Sequence, residues 1–153
     1  MGLLMINIKK ILLLMMLMMT PALFAMENGE QSLQVGPYKV YYNSFNTSFL
    51  SPDIAKQYGI KRTSNSGLVN ISIKKFDGEN SVPVAIKLSG YFKNLLSQTQ
   101  ELNFRMIQEK EAIYYLADFT FSDQDRLSFT IQLDLDEKYQ EQTLQFTNQF
   151  YFD

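Results

Sequence analysis

The chain has 153 residues, carries 14 basic against 16 acidic side chains, and contains neither histidine nor cysteine. Without imidazole or thiol there is no Ser-His-Asp or Cys-His triad, no disulfide, and no donor set for nearly all zinc and copper sites. The mildly acidic balance argues against nucleic acid as a partner.

In chain order, Lys9 and Lys10 precede an unbroken apolar run, "ILLLMMLMM" over 11–19, closed by Thr20 and Pro21. That run has the length of a secretory h-region and is too short for a bilayer, which needs roughly 20 apolar residues. Ala25 offers a small residue for signal peptidase, although Leu23 stands where another small residue is preferred. The expectation is a cleavable Sec-type signal peptide over 1–25 and a single domain over 26–153, with an uncleaved anchor as the alternative. A domain of that length can bury a core that needs no disulfide, and 12 Phe with 9 Tyr supply its bulk.

Residues 27–31 are polar and predict a loose arm. After it the apolar residues recur with period 2, the period of strands. Tyr38, Val40 and Tyr42 share one face of a first strand, and Val69, Ile71 and Ile73 one face of a second. "DGEN" (77–80) predicts a turn with Gly78 free to take a positive φ. Val84, Ile86, Leu88 and Phe92 point inward on the next strand, Leu102, Phe104 and Met106 on another, and Ile113, Tyr115, Ala117, Phe119 and Phe121 on a third. "SDQD" (122–125) is a second polar turn. Leu127, Phe129, Ile131, Leu133 and Leu135 then alternate with polar residues, and "LQFTNQFYF" (144–152) predicts a closing strand. One wet and one buried face per strand belongs to antiparallel sheets. The fold class expected is all-β: an antiparallel immunoglobulin-like β-sandwich of about seven or eight strands, without the usual cysteine pair or core tryptophan.

One stretch departs from this alternation: "SFNTSFLSPDIAKQYGIKRTSNSGLVNISI", from Ser44 to Ile73. Ser51 is a good N-cap and Pro52 fits the first helical position. Asp53 meets the positive dipole end. Gly59 suits the left-handed position past the helix, with Ile60 packing back on the last turn. Lys56, Lys61 and Arg62 crowd the negative end. These choices predict one short inserted helix at about 52–58, with Ile54, Tyr58 and Ile60 as a plug closing the sandwich core where the chain crosses between sheets.

The same stretch resembles domain-of-unknown-function family 4426, a family of small secreted proteobacterial proteins. The resemblance rests on Tyr42, Phe45-Asn46, Phe49-Leu50, Pro52, Ile54-Ala55, Tyr58-Gly59-Ile60, Arg62, Gly67-Leu68 and Asn70-Ile71. It implies an exported single domain in the periplasm of a Gram-negative bacterium. It carries no activity over.

Loops on rigid scaffolds commonly carry binding groups. The candidate binding surface is Asn43, Asn46, Thr47, Tyr58, Arg62, Asn65 and Asn70, against the plainer alternative that the segment is structural. Two-carboxylate hydrolysis would need Asp118, Asp134, Asp136 or Glu137, but Asp134 and Asp136 fall on the polar side of a strand. Asp123 and Asp125 lack the further acids of a calcium loop. Lys56, Lys61 and Arg62, and then Lys74 and Lys75, could meet an anionic partner such as lipid head groups. The plainer account is dipole capping for the first group and protection of an edge strand for the second. The expectation is an exported, non-catalytic binding module with no cofactor and no metal, monomeric, whose partner is an envelope protein or a small ligand. A small outer-membrane barrel is the alternative, and a carboxylate-based enzyme the remotest one.

Overall fold

Alternation of apolar and polar residues builds two sheets. The computed structural model describes residues 31–153, so the expected signal peptide over 1–25 lies outside the described residues. The strands are β1 (Ser32–Val35), β2 (Tyr38–Asn46), β3 (Ser66–Asp77), β4 (Asn80–Pro83), β5 (Lys87–Lys93), β6 (Thr99–Leu102), β7 (Arg105–Gln108), β8 (Ile113–Thr120), β9 (Asp125–Asp134) and β10 (Gln142–Phe150). The first sheet runs β1-β2-β3-β8-β7, with β4 also paired to β3, and the second runs β10-β9-β5-β6. Every neighbouring pair is antiparallel. The orders β2-β3-β8-β7 and β10-β9-β5-β6 reproduce the two facing sheets of the immunoglobulin sandwich. Both sheets end in free strands, so the barrel alternative does not hold.

Inward residues of the two sheets form the main core. Val40, Val69, Ile71 and Ile73 face Phe129, Ile131 and Leu133, all at most 1% exposed. Where an antibody domain has a disulfide and a tryptophan, this chain has rings. Phe119 lies 5.3 Å from Phe92, 5.3 Å from Phe129 and 5.2 Å from Phe150, centroid to centroid. Such ring pairs add about 0.5–1.5 kcal/mol each beyond their burial.

The structure differs from the sequence-based expectation in four places. Among the described residues ten strands form rather than seven or eight, because four-residue strands such as β1 and β4 are too short to show a period. The expected strand through Leu102, Phe104 and Met106 is two: β6 ends at Leu102 in one sheet and β7 begins at Arg105 in the other. The chain changes sheets between them, which leaves Met106 half exposed instead of inward. Lys74 and Lys75 do not sit on an edge, since β2 and β4 flank β3 there. The fourth difference concerns the helix.

Helix α1 (Pro52–Gln57) has the expected ends. The Ser51 Oγ accepts from the Ile54 N–H (3.3 Å) and Pro52 opens the helix. Gly59 takes φ +64°, its N–H donates to the Lys56 carbonyl (3.2 Å), and the Ile60 N–H donates to the Ala55 carbonyl (2.7 Å). This is the full Schellman pattern. But β2 and β3 are adjacent strands of one sheet, with Asn46 opposite Gly67. The helix therefore does not bridge the sheets or plug the core. It folds back over the outer face of the first sheet. Ala55 and Ile60 bury against Leu68 and Leu116 in a second, small core, and Ile54 stays 41% exposed. Burying Leu68, Leu116 and Ile60 contributes about 1.5–3 kcal/mol each, which fixes α1 to the sheet.

Candidate functional site

The outer face under α1 is organised by strand register. One row crosses four strands: Asn43 on β2, Asn70 on β3, Leu116 on β8 and Arg105 on β7. The next row is Phe45, Leu68 and Asp118. Together with the helix these rows enclose an apolar cavity of about 210 Å³, lined by Phe45, Leu50, Ile54, Tyr58, Tyr114 and their neighbours, with Asn70 among its walls.

The polar groups here are unusual. Among the described residues, three buried side-chain atoms have no hydrogen-bond partner: Asn70 Oδ1, Arg105 Nε and Arg105 Nη2. All three belong to the two residues in register with Leu116. Arg105 lies against the turn that ends α1, where a Cβ on Gly59 would stand 3.8 Å from its Nη1. Residues 58 and 60 on either side of Gly59 line the cavity. A buried donor or acceptor left unpaired costs about 1–3 kcal/mol, so three such atoms on two neighbouring residues weigh against the stability of the free protein.

Tyr58 reaches from the cavity to β7's end and donates its hydroxyl hydrogen bond to the Glu109 carboxylate. That bond, and then burial, raise its hydroxyl above the ordinary tyrosine range, because ionisation would remove the donated proton.

The sequence-based candidates divide. Tyr58 and Asn70 come together at the cavity, and Asn43 stands one strand away from Asn70 on the same row. The others brace the loop. Asn46 is 6% exposed and its Nδ2 donates to the Tyr151 carbonyl (2.8 Å) and to Asp153 Oδ2 (3.1 Å). Thr47 is fully buried, and its Oγ1 accepts from the Thr63 N–H (3.3 Å). Arg62 Nη2 donates to the Ser48 carbonyl (2.9 Å). Asn65 Oδ1 accepts from Thr63 Oγ1 (3.1 Å), and its carbonyl accepts from the Phe121 N–H (3.0 Å). Sequence reasoning missed Leu68, Leu116 and Tyr114. Their signal was present: "LV" at 68–69 and "YYLA" at 114–117 are apolar on both faces, as a strand covered on both sides must be. Arg105 had no such signal.

Three of the acids accept hydrogen bonds from the surrounding chain. Asp123 Oδ1 accepts from the Phe152 N–H (2.9 Å) and Asp125 Oδ2 from the Ser122 N–H (3.3 Å). Asp136 accepts from the Tyr38 hydroxyl (2.7 Å) and from the N–H groups of Lys138 (2.9 Å) and Tyr139 (2.8 Å). The Tyr38 bond and the Tyr139 bond hold its carboxyl below the usual range, the opposite of what a general acid needs. Asp118 stands on the outer face of one sheet and Asp134 on the other sheet. No group of three or more acidic side chains among the described residues is placed to hold a metal ion. No helix among them is long and apolar enough to cross a membrane.

A search of curated proteins gave no match. Among solved structures the chain is similar to a DUF4426 family protein from Pseudomonas aeruginosa, at 34% identity and TM-score 0.67, covering 83% of this chain and 98% of that one. It also shares its fold with FetP of uropathogenic Escherichia coli strain F11, at 10% identity. A copper-bound variant of FetP has TM-score 0.57 over 80% of this chain and 95% of that one. The as-isolated protein, expressed in the periplasm, has TM-score 0.56 over 80% and 93%. The model of the family described as "Domain of unknown function (DUF4426)" matches residues 32–153, and the chain belongs to that family.

Proposed function

We propose that this chain is an exported, periplasmic, non-catalytic binding module, a single domain over 26–153 after loss of residues 1–25, which binds an envelope protein or small ligand on the outer face of its first sheet beside α1. One observation carries this reading. All the unpaired buried side-chain polar atoms of the described residues lie on Asn70 and Arg105, next to an apolar cavity whose rim includes the half-exposed Ile54. Apolar walls with a few convergent polar groups are the usual composition of a binding pocket. The secretory pattern of residues 9–25 supports the location, and the FetP fold expressed in the periplasm is consistent with it.

The copper of the FetP variant is a property of that protein. This chain has no histidine or cysteine, and Met106 is the one methionine among the described residues. A copper site built on imidazole or thiolate, as most are, is therefore not available to this chain.

The test is photocrosslinking in cells, with the reactive residue at Ile54 and, as a control, at the exposed Gln132 on the other sheet's outer face. A partner captured from Ile54 and not from Gln132, or a metabolite that raises the melting temperature of wild type but not of Arg105→Met, is the expected result. Equal capture from both positions, with no ligand-dependent shift that needs Arg105, sinks the reading.

A further inference from the structure

Arg105 opens β7 and opposes Leu116, so the two share the outer face of the first sheet. Ile107, two residues on, packs on the small core beneath α1. Arg105 makes no hydrogen bond and no ion pair to any described residue, and its Nε and Nη2 are buried. The acids closest to it in the pairing pattern are engaged or apart. Glu109 holds the Tyr58 hydroxyl, and Asp118 stands in the next row, opposite Leu68. The end of α1 does not take the charge either, since its Ala55 and Lys56 carbonyls accept from the N–H groups of Ile60 and Gly59.

A buried cation normally has a counter-charge, because its lost hydration is otherwise uncompensated. Arg105 has none among the described residues. The two buried donors are also a matched pair. Nε–H and one N–H of Nη2 run parallel along one edge of the guanidinium, the fork that grips both oxygens of a carboxylate.

The cavity sets what is attached to that carboxylate. Tyr58 and Ile60, on either side of the Gly59 that lies by Arg105, line it, and so does Leu116. The cation and the apolar space therefore adjoin. An apolar cavity of about 150 Å³ takes up benzene. On that scale the 210 Å³ here has room for about eight carbons. Asn70 Oδ1, on the cavity wall, is an acceptor and repels the oxygens of an anion, which leaves Arg105 as the place for the charged end.

We propose, on the reading of this face as a binding surface, that its ligand is a medium-chain carboxylic acid. Arg105 Nε and Nη2 hold the carboxylate two-pronged, and the apolar chain of about eight carbons fills the cavity under α1. Both donors are closed to water in the free protein, so the turn at 58–60 lifts to admit the carboxylate. The Tyr58 bond to Glu109 is the latch on that turn.

Isothermal titration calorimetry of the purified protein with octanoate, octan-1-ol and octyl phosphate tests this. Octanoate is expected to bind wild type. Octan-1-ol has the same chain without the charge and should bind at least about tenfold more weakly. Arg105→Lys keeps the charge and loses the fork, and should weaken octanoate by at least about tenfold as well. Arg105→Met should lose binding altogether, and ligand-free melting curves check that both variants fold. In nuclear magnetic resonance spectra of wild type, octanoate should shift the Arg105 Nε–H signal and the methyl signals of Leu68 and Leu116. Wild type that ignores octanoate overturns the proposal, as does octan-1-ol binding equally well or Arg105→Met binding octanoate like wild type. Octyl phosphate binding more tightly than octanoate overturns the choice of carboxylate. Capture of a partner from Ile54 without any octanoate binding sinks the ligand class and keeps the binding face, whereas failure of both experiments removes the face too.

Discussion

Asn46, at the end of β2, donates to the backbone carbonyl of Tyr151, 105 positions along the chain, at 2.8 Å. The same amide reaches Asp153 Oδ2 at 3.1 Å. One buried side chain therefore ties the β2–β3 connection to the C-terminal tail. Asn46→Ala leaves the Tyr151 carbonyl without this donor, and urea unfolding is expected to show a loss of about 1–3 kcal/mol. Crosslinking from Ile54 should be unchanged in that variant, since Asn46 stands outside the cavity. A loss of capture at unaltered stability would instead place Asn46 in the binding surface.

Tyr38 and Asp136 predict how stability depends on pH. The bond to Asp136, and then burial, raise the Tyr38 hydroxyl above its ordinary value. Its contribution is complete below the unfolded tyrosine value of about 10 and is lost as pH rises through the higher folded value. Asp136 is lowered, first by the same bond. Its contribution is present above the unfolded carboxylate value of about 3.9 and is lost as pH falls through the lower folded value. Tyr38→Phe should flatten both limbs of a melting-temperature profile. Equal slopes for variant and wild type at both ends would rule out this linkage.

Gly67 on β3 sits opposite Phe119 on β8, whose ring lies over it. A Cβ at residue 67 would stand 2.2 Å from the Phe119 Cζ. Phe119 cannot give way, because Phe92, Phe129 and Phe150 surround it. Gly67→Ala is expected to cost about 1–3 kcal/mol through overpacking. Gly78 has open space around it, and there Gly78→Ala should cost only the strain of its positive φ, about 1 kcal/mol. Denaturant midpoints of the two variants, compared directly, check the order.

If Asn70 and Arg105 are held for binding, removing their polar atoms should stabilise the free protein. Asn70→Leu and Arg105→Met are each expected to raise the melting temperature, by the equivalent of about 1 kcal/mol or more. Both should lose capture at Ile54, the usual exchange of function for stability. A lower melting temperature in both variants would mean that these groups serve the fold.

The cap of α1 gives a smaller, local prediction. Ser51→Ala removes the acceptor for the Ile54 N–H and should cost about 1 kcal/mol. Hydrogen exchange should show faster opening in 52–60 and little change in the main core strands β3, β8 and β9.

Much of this molecule was legible from residue order, because strand period, turn chemistry and helix capping act over a few residues. The inward faces of β3, β8 and β9 follow from alternation, the turn at Gly78 from its freedom to take a positive φ, and both ends of α1 from Ser51, Pro52 and Gly59. The absence of histidine and cysteine removed whole classes of chemistry at once. Tertiary structure decided everything that depends on which strands become neighbours. It set β2 beside β3 and so sent α1 onto the outer face instead of into the core. It split the apparent strand around Phe104 between two sheets. It drew Asn46 and Thr47 into the interior as braces, and it brought Asn70 and Arg105 to opposite sides of Leu116. It left β10 as an open edge. Each of these rests on pairing between residues far apart in the chain. That pairing is set by how the whole apolar surface can be buried at once, and no local pattern encodes it.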